Sequence, residues 1–139
     1  MGRYDARRET GNLILTWFRR KAKPLGARGE ALAVKALRRA GYAILARNAR
    51  IGPYEIDIIA RERDTTVFIE VKTRRHDDPV APEDNVNQTK RQHIRWAARR
   101  YIGQQDDPEM YYRFDVVSVV IPESGKPAVT IHRDAFRTE

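Results

Sequence analysis

Asp57, Glu70 and Lys72 are the residues of this chain whose types and spacing could do chemistry. Asp57 lies in the run Glu55-Ile56-Asp57-Ile58-Ile59-Ala60, and Glu70 and Lys72 close the run Val67-Phe68-Ile69-Glu70-Val71-Lys72. Both runs are rich in β-branched residues, and a polar segment, residues 61–66, separates them. Successive strand residues point to opposite faces. Phe68, Glu70 and Lys72 therefore share one face, and Val67, Ile69 and Val71 take the other. Glu55, Asp57 and Ile59 likewise share a face of the first run. A hairpin turning near Arg63 and Asp64 sets Asp57 opposite Glu70 and Glu55 opposite Lys72. Two or three carboxylates and one ammonium then meet on an otherwise apolar sheet, where charges persist only if they are paired or hold a metal.

A hard divalent cation such as Mg²⁺ or Mn²⁺ takes oxygen ligands, commonly one or two carboxylates with waters and a substrate phosphate. Asp57 and Glu70 suit that task, and the Val71 carbonyl is a further candidate ligand. A lysine beside metal and phosphate can steady developing charge or orient water, and Lys72 has that place. Glu30 adds a third acid. It falls in the first turn of the first helix, one helical step from Ala33, Val34 and Leu37, on or near the buried face. The same residues also admit a structural reading, a buried ion pair of Glu55 or Glu70 with Lys72. Other chemistries find little support. His76, His93 and His132 lack metal-ligand spacing, Ser118 has no Gly-x-Ser-x-Gly context, and no Gly-rich phosphate loop is present. Asp115 flanks a core strand and is expected to pair with Arg113 or a helix arginine.

An α/β framework must position these groups. The pattern is helical from Ala27 to Ala40, with Ala33, Leu37 and Ala40 at helical spacing and Gly41 as the stop. Residues 42–46 read as a strand, followed by residues 47–50 and a turn at Gly52-Pro53. The hairpin comes next, then a loop over residues 74–83. Asn85 or Asn87 can cap a second helix running to about Ile102. Its apolar stripe is Ile94, Ala97, Ala98, Tyr101 and Ile102, and its polar side carries Lys90, Arg91, Arg95, Arg99 and Arg100. Residues 114–121 read as a central strand and residues 128–132 as a final one. The order α-β-β-β-α-β-β predicts a mixed sheet with flanking helices. Residues 1–25 read as a basic N-terminal extension, with a short amphipathic helical pattern over residues 13–18. Residues 26–139 read as the domain that carries the chemistry.

The 139 residues suffice for one domain with a real core. No apolar run approaches a membrane span, and the run over residues 13–18 is too short for a secretory signal. The absence of cysteine excludes disulfides, zinc–thiolate sites and thiol catalysis, and fits an expected home in the cytoplasm. The net charge of +8 favours an anionic partner, most simply nucleic acid. Much of the excess lies in residues 1–28, where eight basic residues face two acidic ones. That segment reads equally as a solvated tail and as a phosphate-gripping arm.

Asp57 followed by Glu70-Val71-Lys72 resembles the D…E-x-K signature of the PD-(D/E)xK nuclease superfamily. Gly29-Glu30, Gly41-Tyr42-Ala43-Ile44-Leu45, Asn48-Ala49-Arg50, Glu55-Ile56-Asp57-Ile58-Ile59, Phe68-Ile69-Glu70-Val71-Lys72-Thr73-Arg74 and Arg113-Phe114-Asp115-Val116-Val117 together resemble the YraN-like family of inferred endonucleases. The resemblance runs from about Gly26 to Phe136. It implies a restriction-endonuclease-like core similar to archaeal Holliday-junction resolvases. It also implies that Glu30 is the acid on the first helix, Asp57 and Glu70 the metal ligands, and Lys72 the catalytic lysine. One position departs from the family, Tyr54, where glycine is usual before the Glu of the G-E-I-D run; Gly52 and Pro53 can supply the turn instead. The expected function is metal-dependent hydrolysis of phosphodiester bonds in DNA, with branched or single-stranded substrates and a homodimer suggested by the resolvase analogy alone. Arg74, Arg75, Lys90 and Arg91 are the expected nucleic-acid contacts. The rival readings are a non-catalytic nucleic-acid-binding protein that retains the fold, and an RNA-directed nuclease.

Overall fold

The computed structural model describes residues 24–76, 88–107 and 110–136. The N-terminal extension up to residue 23, the helical pattern over residues 13–18 and the cap positions Asn85 and Asn87 lie outside the described residues. Helix α1 (Pro24–Arg39) opens three residues before the expected Ala27, within the segment read as the N-terminal extension, so Glu30 lies in its second turn rather than its first. It opens on a proline, whose missing N–H is no loss in a first helical turn. It closes as expected at Gly41. Tyr42 N–H donates to the Leu37 carbonyl at 3.0 Å and Gly41 N–H to the Arg38 carbonyl at 3.1 Å, with Gly41 at φ 96°. Ala40 lies past the helix and is exposed rather than part of its buried stripe.

Five strands follow: β1 (Ala43–Ile51), β2 (Tyr54–Glu62), β3 (Thr65–Arg75), β4 (Tyr111–Ile121) and β5 (Ala128–His132), with helix α2 (Gln88–Gly103) between β3 and β4. They form one sheet in the order β1-β2-β3-β4-β5. All neighbours are antiparallel except β3 and β4, which run parallel. A parallel pair needs a crossover, and α2 supplies it. The element order is the one read from the sequence. β1 continues to Ile51 instead of ending near residue 46, and β3 to Arg75, so that Arg74 and Arg75 are strand residues rather than loop.

The two described helices cover opposite faces. Ala33, Val34 and Leu37 of α1 pack with Ile58, Ala60, Val67, Ile69, Val117 and Val119. Ile94, Ala97 and Ala98 of α2 pack with Ala49, Ile51, Ile56, Ile59, Phe68, Phe114 and Val116. Ile56 and Ile58 are two apart yet lie on opposite faces, so the pleat changes phase at Asp57. Glu55, Asp57 and Ile59 therefore do not share one face of a regular strand, contrary to the simple alternation. β1 keeps its register past the matching place, with Arg47 paired to Ile58 and Ala49 to Ile56, which leaves Asn48 across from Asp57; the register itself shifts earlier, between Ile44 and Ala46. Asn48 holds φ 50°, a left-handed conformation that asparagine tolerates better than most residues. Among the described residues, no helix is long and apolar enough to cross a membrane.

Candidate functional site

The β2–β3 hairpin turns at Arg63 and Asp64 and pairs Glu62 with Thr65 through Ile58 with Ile69. One further step in that register would set Asp57 against Glu70, as expected, but the ladder ends first. Val71 N–H donates instead to Asp57 Oδ2 at 2.9 Å. A side-chain carboxylate thus accepts from a strand amide where regular pairing has stopped, and β2 and β3 part into a fork. Glu55 does not face Lys72 in this ladder; its strand partner is Arg50.

The fork gathers the charged residues. Asp57 is 7% exposed and Glu70 6%, at the margin of the apolar sheet. Glu70 and Lys72 share the α2 side of β3 with Phe68. Lys72 Nζ stands 3.6 Å from Glu70 Oε1, and Lys90 Nζ, from the first turn of α2, stands 3.6 Å from the same oxygen. Lys90 was expected among the nucleic-acid contacts; it belongs to the carboxylate cluster. Sequence spacing could not bring it there, because the crossover that returns α2 over β3 is a tertiary feature.

Glu30 is buried on α1 and accepts from Asn48 Nδ2 at 3.3 Å. It is thereby tied to the residue across from Asp57. Gly29 lets α1 come down onto β3, since a Cβ there would overlap the Thr73 side chain. Among the described residues, no group of three or more histidine, aspartate or glutamate side chains is close enough to hold a metal. Glu30, Asp57 and Glu70 are therefore not assembled into one all-protein cage. Asp57 reaches β3 through the Val71 amide, and Glu70, the residue before it, meets Lys72 and Lys90.

The remaining expected contacts separate. Arg75 is exposed and Arg74 half-buried at the end of β3. Arg91 lies with its guanidinium 5.4 Å from the Phe136 ring centroid, a cation–π contact. Residue-level reasoning missed two partners of the site. Asn48 enters the sequence pattern only through the Asn48-Ala49-Arg50 run, and its link to Glu30 is a contact between elements. Ser118, the parallel-strand partner of Lys72, has its Oγ 3.0 Å from His132 Nε2. Ser118 and His132 lie on different strands, so no local spacing signals their contact.

The fold and the fork define an α/β protein with a carboxylate–lysine cluster where two strands part. The model of the uncharacterised protein family UPF0102 matches residues 29–119, and the chain belongs to that family. Its relatives include a UPF0102 protein of Nocardia farcinica, 48% identical over 105 residues, covering 76% of this chain and 83% of the relative. One from Caldicellulosiruptor saccharolyticus is 43% identical over 97 residues, covering 70% and 82%. Another, from Geotalea daltonii, is 40% identical over 114 residues, covering 82% and 90%. The matched span contains Glu30, Asn48, Asp57, Glu70, Lys72 and Lys90.

Proposed function

We propose that this chain is a metal-dependent nuclease that hydrolyses phosphodiester bonds in DNA, built on a restriction-endonuclease-like core. The observation that carries the reading is the fork, in which the Asp57 carboxylate takes the Val71 amide beside Glu70 and Lys72. Two carboxylates are a sufficient protein donor set for Mg²⁺ or Mn²⁺, which ordinarily complete their shell with water and substrate phosphate. Asp57 and Glu70 would hold the ion, with Glu30 supporting the site through Asn48. A bound ion would supply Lewis-acid polarisation of the phosphoryl group and a more acidic water. Lys72, already beside Glu70, donates hydrogen bonds to the charge that grows on the phosphoryl oxygens. Lys90 adds a second cation for the same phosphate, while Arg74 and Arg75 extend positive charge along β3 toward the flanking backbone.

A second reading is favoured by one observation. Lys72 and Lys90 both approach Glu70 Oε1, and an ion-pair cluster of that kind needs no metal. On that reading the protein binds nucleic acid without cutting it. The deciding experiment incubates purified protein with Mg²⁺ or Mn²⁺ and labelled linear, flap, junction and single-stranded DNAs, with Lys72→Ala alongside. The nuclease reading expects divalent-dependent cleavage that falls by about 100-fold or more in the variant under single-turnover conditions. Cleavage by Lys72→Ala at the wild-type rate, or none by the wild type on any substrate, refutes it.

A further inference from the structure

We propose that the outer side of α2, where it meets the β1–β2 turn, is a stacking shelf for an unpaired base of a nucleic-acid strand, with Trp96 as its platform. The proposal rests on the nucleic-acid reading above and specifies the form of the substrate. Helix α2 carries Lys90, Arg91, Arg95, Arg99 and Arg100 and no acidic residue. Its Ile94, Ala97 and Ala98 are turned to the core. On the far side Gln92, Trp96, Arg99 and Arg100 are exposed. Trp96 is 41% exposed, an open position for the largest apolar side chain there is.

This tryptophan is held. Tyr54 meets its ring edge-on with centroids 5.4 Å apart, and the Arg100 guanidinium lies 5.5 Å from its ring centroid. Gly52, at φ 58°, leaves room for the six-membered ring, which a Cβ would overlap. Tyr54 is in turn stacked on His93, with centroids 4.2 Å apart and planes at 18°. An aromatic surface ordered in advance loses little side-chain freedom when a base lands on it.

Its location joins it to the carboxylate cluster. β2 runs antiparallel to β3, so the β1–β2 turn lies at the same end of the sheet as Glu70 and Lys72. Lys90, against Glu70, precedes His93 by one helical turn and Trp96 by about 9 Å of helix axis. A strand that meets both must cover that axial distance and pass about a third of the way around the helix.

The chemistry selects the occupant. A shelf of aromatic rings among guanidinium groups matches a ligand with exposed π-faces on a chain of phosphates. A single strand offers both. A duplex hides its π-faces in its own stack, and an acidic peptide offers the charge without the rings.

The chain has two tryptophans, so Trp17→Phe leaves Trp96 as the only one to report by fluorescence. In that background, oligothymidylate, an abasic oligonucleotide of equal length and a blunt duplex are titrated in EDTA at fixed salt. Oligothymidylate is expected to quench Trp96 emission and to bind more tightly than the abasic strand. Trp96→Ala, followed by anisotropy of labelled oligothymidylate, is expected to lose about five- to a hundredfold in affinity. Trp96→Phe is expected to keep most of it, and abasic binding is expected to change little in either variant. Equal affinity for abasic and thymidylate strands overturns the shelf, as does wild-type affinity in a folded Trp96→Ala protein. If Trp96→Ala does not fold, the abasic comparison on the Trp17→Phe protein still decides. Because no divalent ion is present, the outcome is separate from cleavage. A shelf that binds in a protein that never cuts refutes only the nuclease reading, and a protein that cuts without base-dependent binding refutes only the shelf.

Discussion

The two ends of the β2–β3 hairpin each gather buried carboxylates and cations, and they do so differently. At the turn end, Arg113 donates to Asp115 Oδ1 at 2.9 Å, to Asp115 Oδ2 at 3.0 Å, to Glu62 Oε1 at 2.6 Å and to Tyr42 Oη at 2.8 Å. Tyr42 Oη donates to Asp115 Oδ2 at 2.8 Å, Asp134 N–H to Asp115 Oδ1 at 3.0 Å, and Arg133 to Glu62 Oε2 at 2.9 Å. Asp115 is 0% exposed and both of its oxygens accept. Hydrogen bonds from Arg133 and Arg113 hold the Glu62 carboxyl down at about 2, and burial with the Asp115 bond pushes the Tyr42 phenol well up. The hydrogen bond to Asp115 likewise raises Arg113. An open pocket of about 450 Å³ lies beside this network, lined by Glu62, Arg63, Asp64, Thr65, Arg113 and Arg133. Arg113 and Arg133 there are already committed to carboxylates. At the fork end the cations are ammoniums, and both stand 3.6 Å from Glu70, outside hydrogen-bond distance. A planar guanidinium can satisfy several acceptors at once, whereas an ammonium on a flexible stem supplies charge that can be redirected. The first cluster is closed by short hydrogen bonds shared among several groups, whereas the contacts of Lys72 and Lys90 with Glu70 in the second are longer ion pairs.

The strongest way to break that comparison is to remove the centre of the saturated cluster. Arg113→Leu leaves Asp115 buried without its cation and should cost about 3–5 kcal/mol of stability, measured by denaturant unfolding. A loss under about 1 kcal/mol would show that the network is not what holds this end together.

Glu62→Gln should cost less, about 1–3 kcal/mol at neutral pH, because a charge-assisted hydrogen-bond acceptor is replaced by a neutral one. It also sharpens the comparison through pH. The Glu62 carboxyl is lowered from its ordinary 4.5 to about 2. Its contribution is therefore complete above about 4.5 and disappears as pH falls through about 2. Thermal melts from pH 6 to pH 2 should show a shallower acid decline in Glu62→Gln than in the wild type. Parallel declines would remove Glu62 from the account.

The smallest effect is expected at the fork. Lys72→Met and Lys90→Met should each change unfolding free energy by under about 1 kcal/mol, since both lysines are partly exposed and each substitution leaves the other ammonium near Glu70. A cost comparable to Arg113→Leu would make the fork a structural ion-pair cluster like its counterpart.

Legibility in the sequence followed range. Helix α1 and its stop at Gly41, the apolar stripe of α2 and the hairpin turn at Arg63-Asp64 were readable, because each depends on contacts within a few residues. The register that points Asp57 toward Glu70 was readable for the same reason, since a two-residue turn sets it. The phase change at Asp57 was not. It needs Asn48 in its left-handed conformation on a different strand, and the Val71 amide diverted to a side chain. Period-two alternation averages over such a break and predicts one continuous face.

The sequence by itself determined the element order and the pairing of Glu70 with Lys72 on one side of a strand, because both are local consequences of residue pattern and a period of two. It also determined the basic character of α2. Tertiary structure decided which cation meets which acid. The crossover carried Lys90 to Glu70, the descent of α1 over Gly29 and the left-handed Asn48 tied Glu30 to the strand beside Asp57, and packing against the Gly52 turn kept Trp96 ordered at the surface. Those contacts join residues far apart in the chain, and their geometry depends on how two helices settle on opposite faces of one twisted sheet.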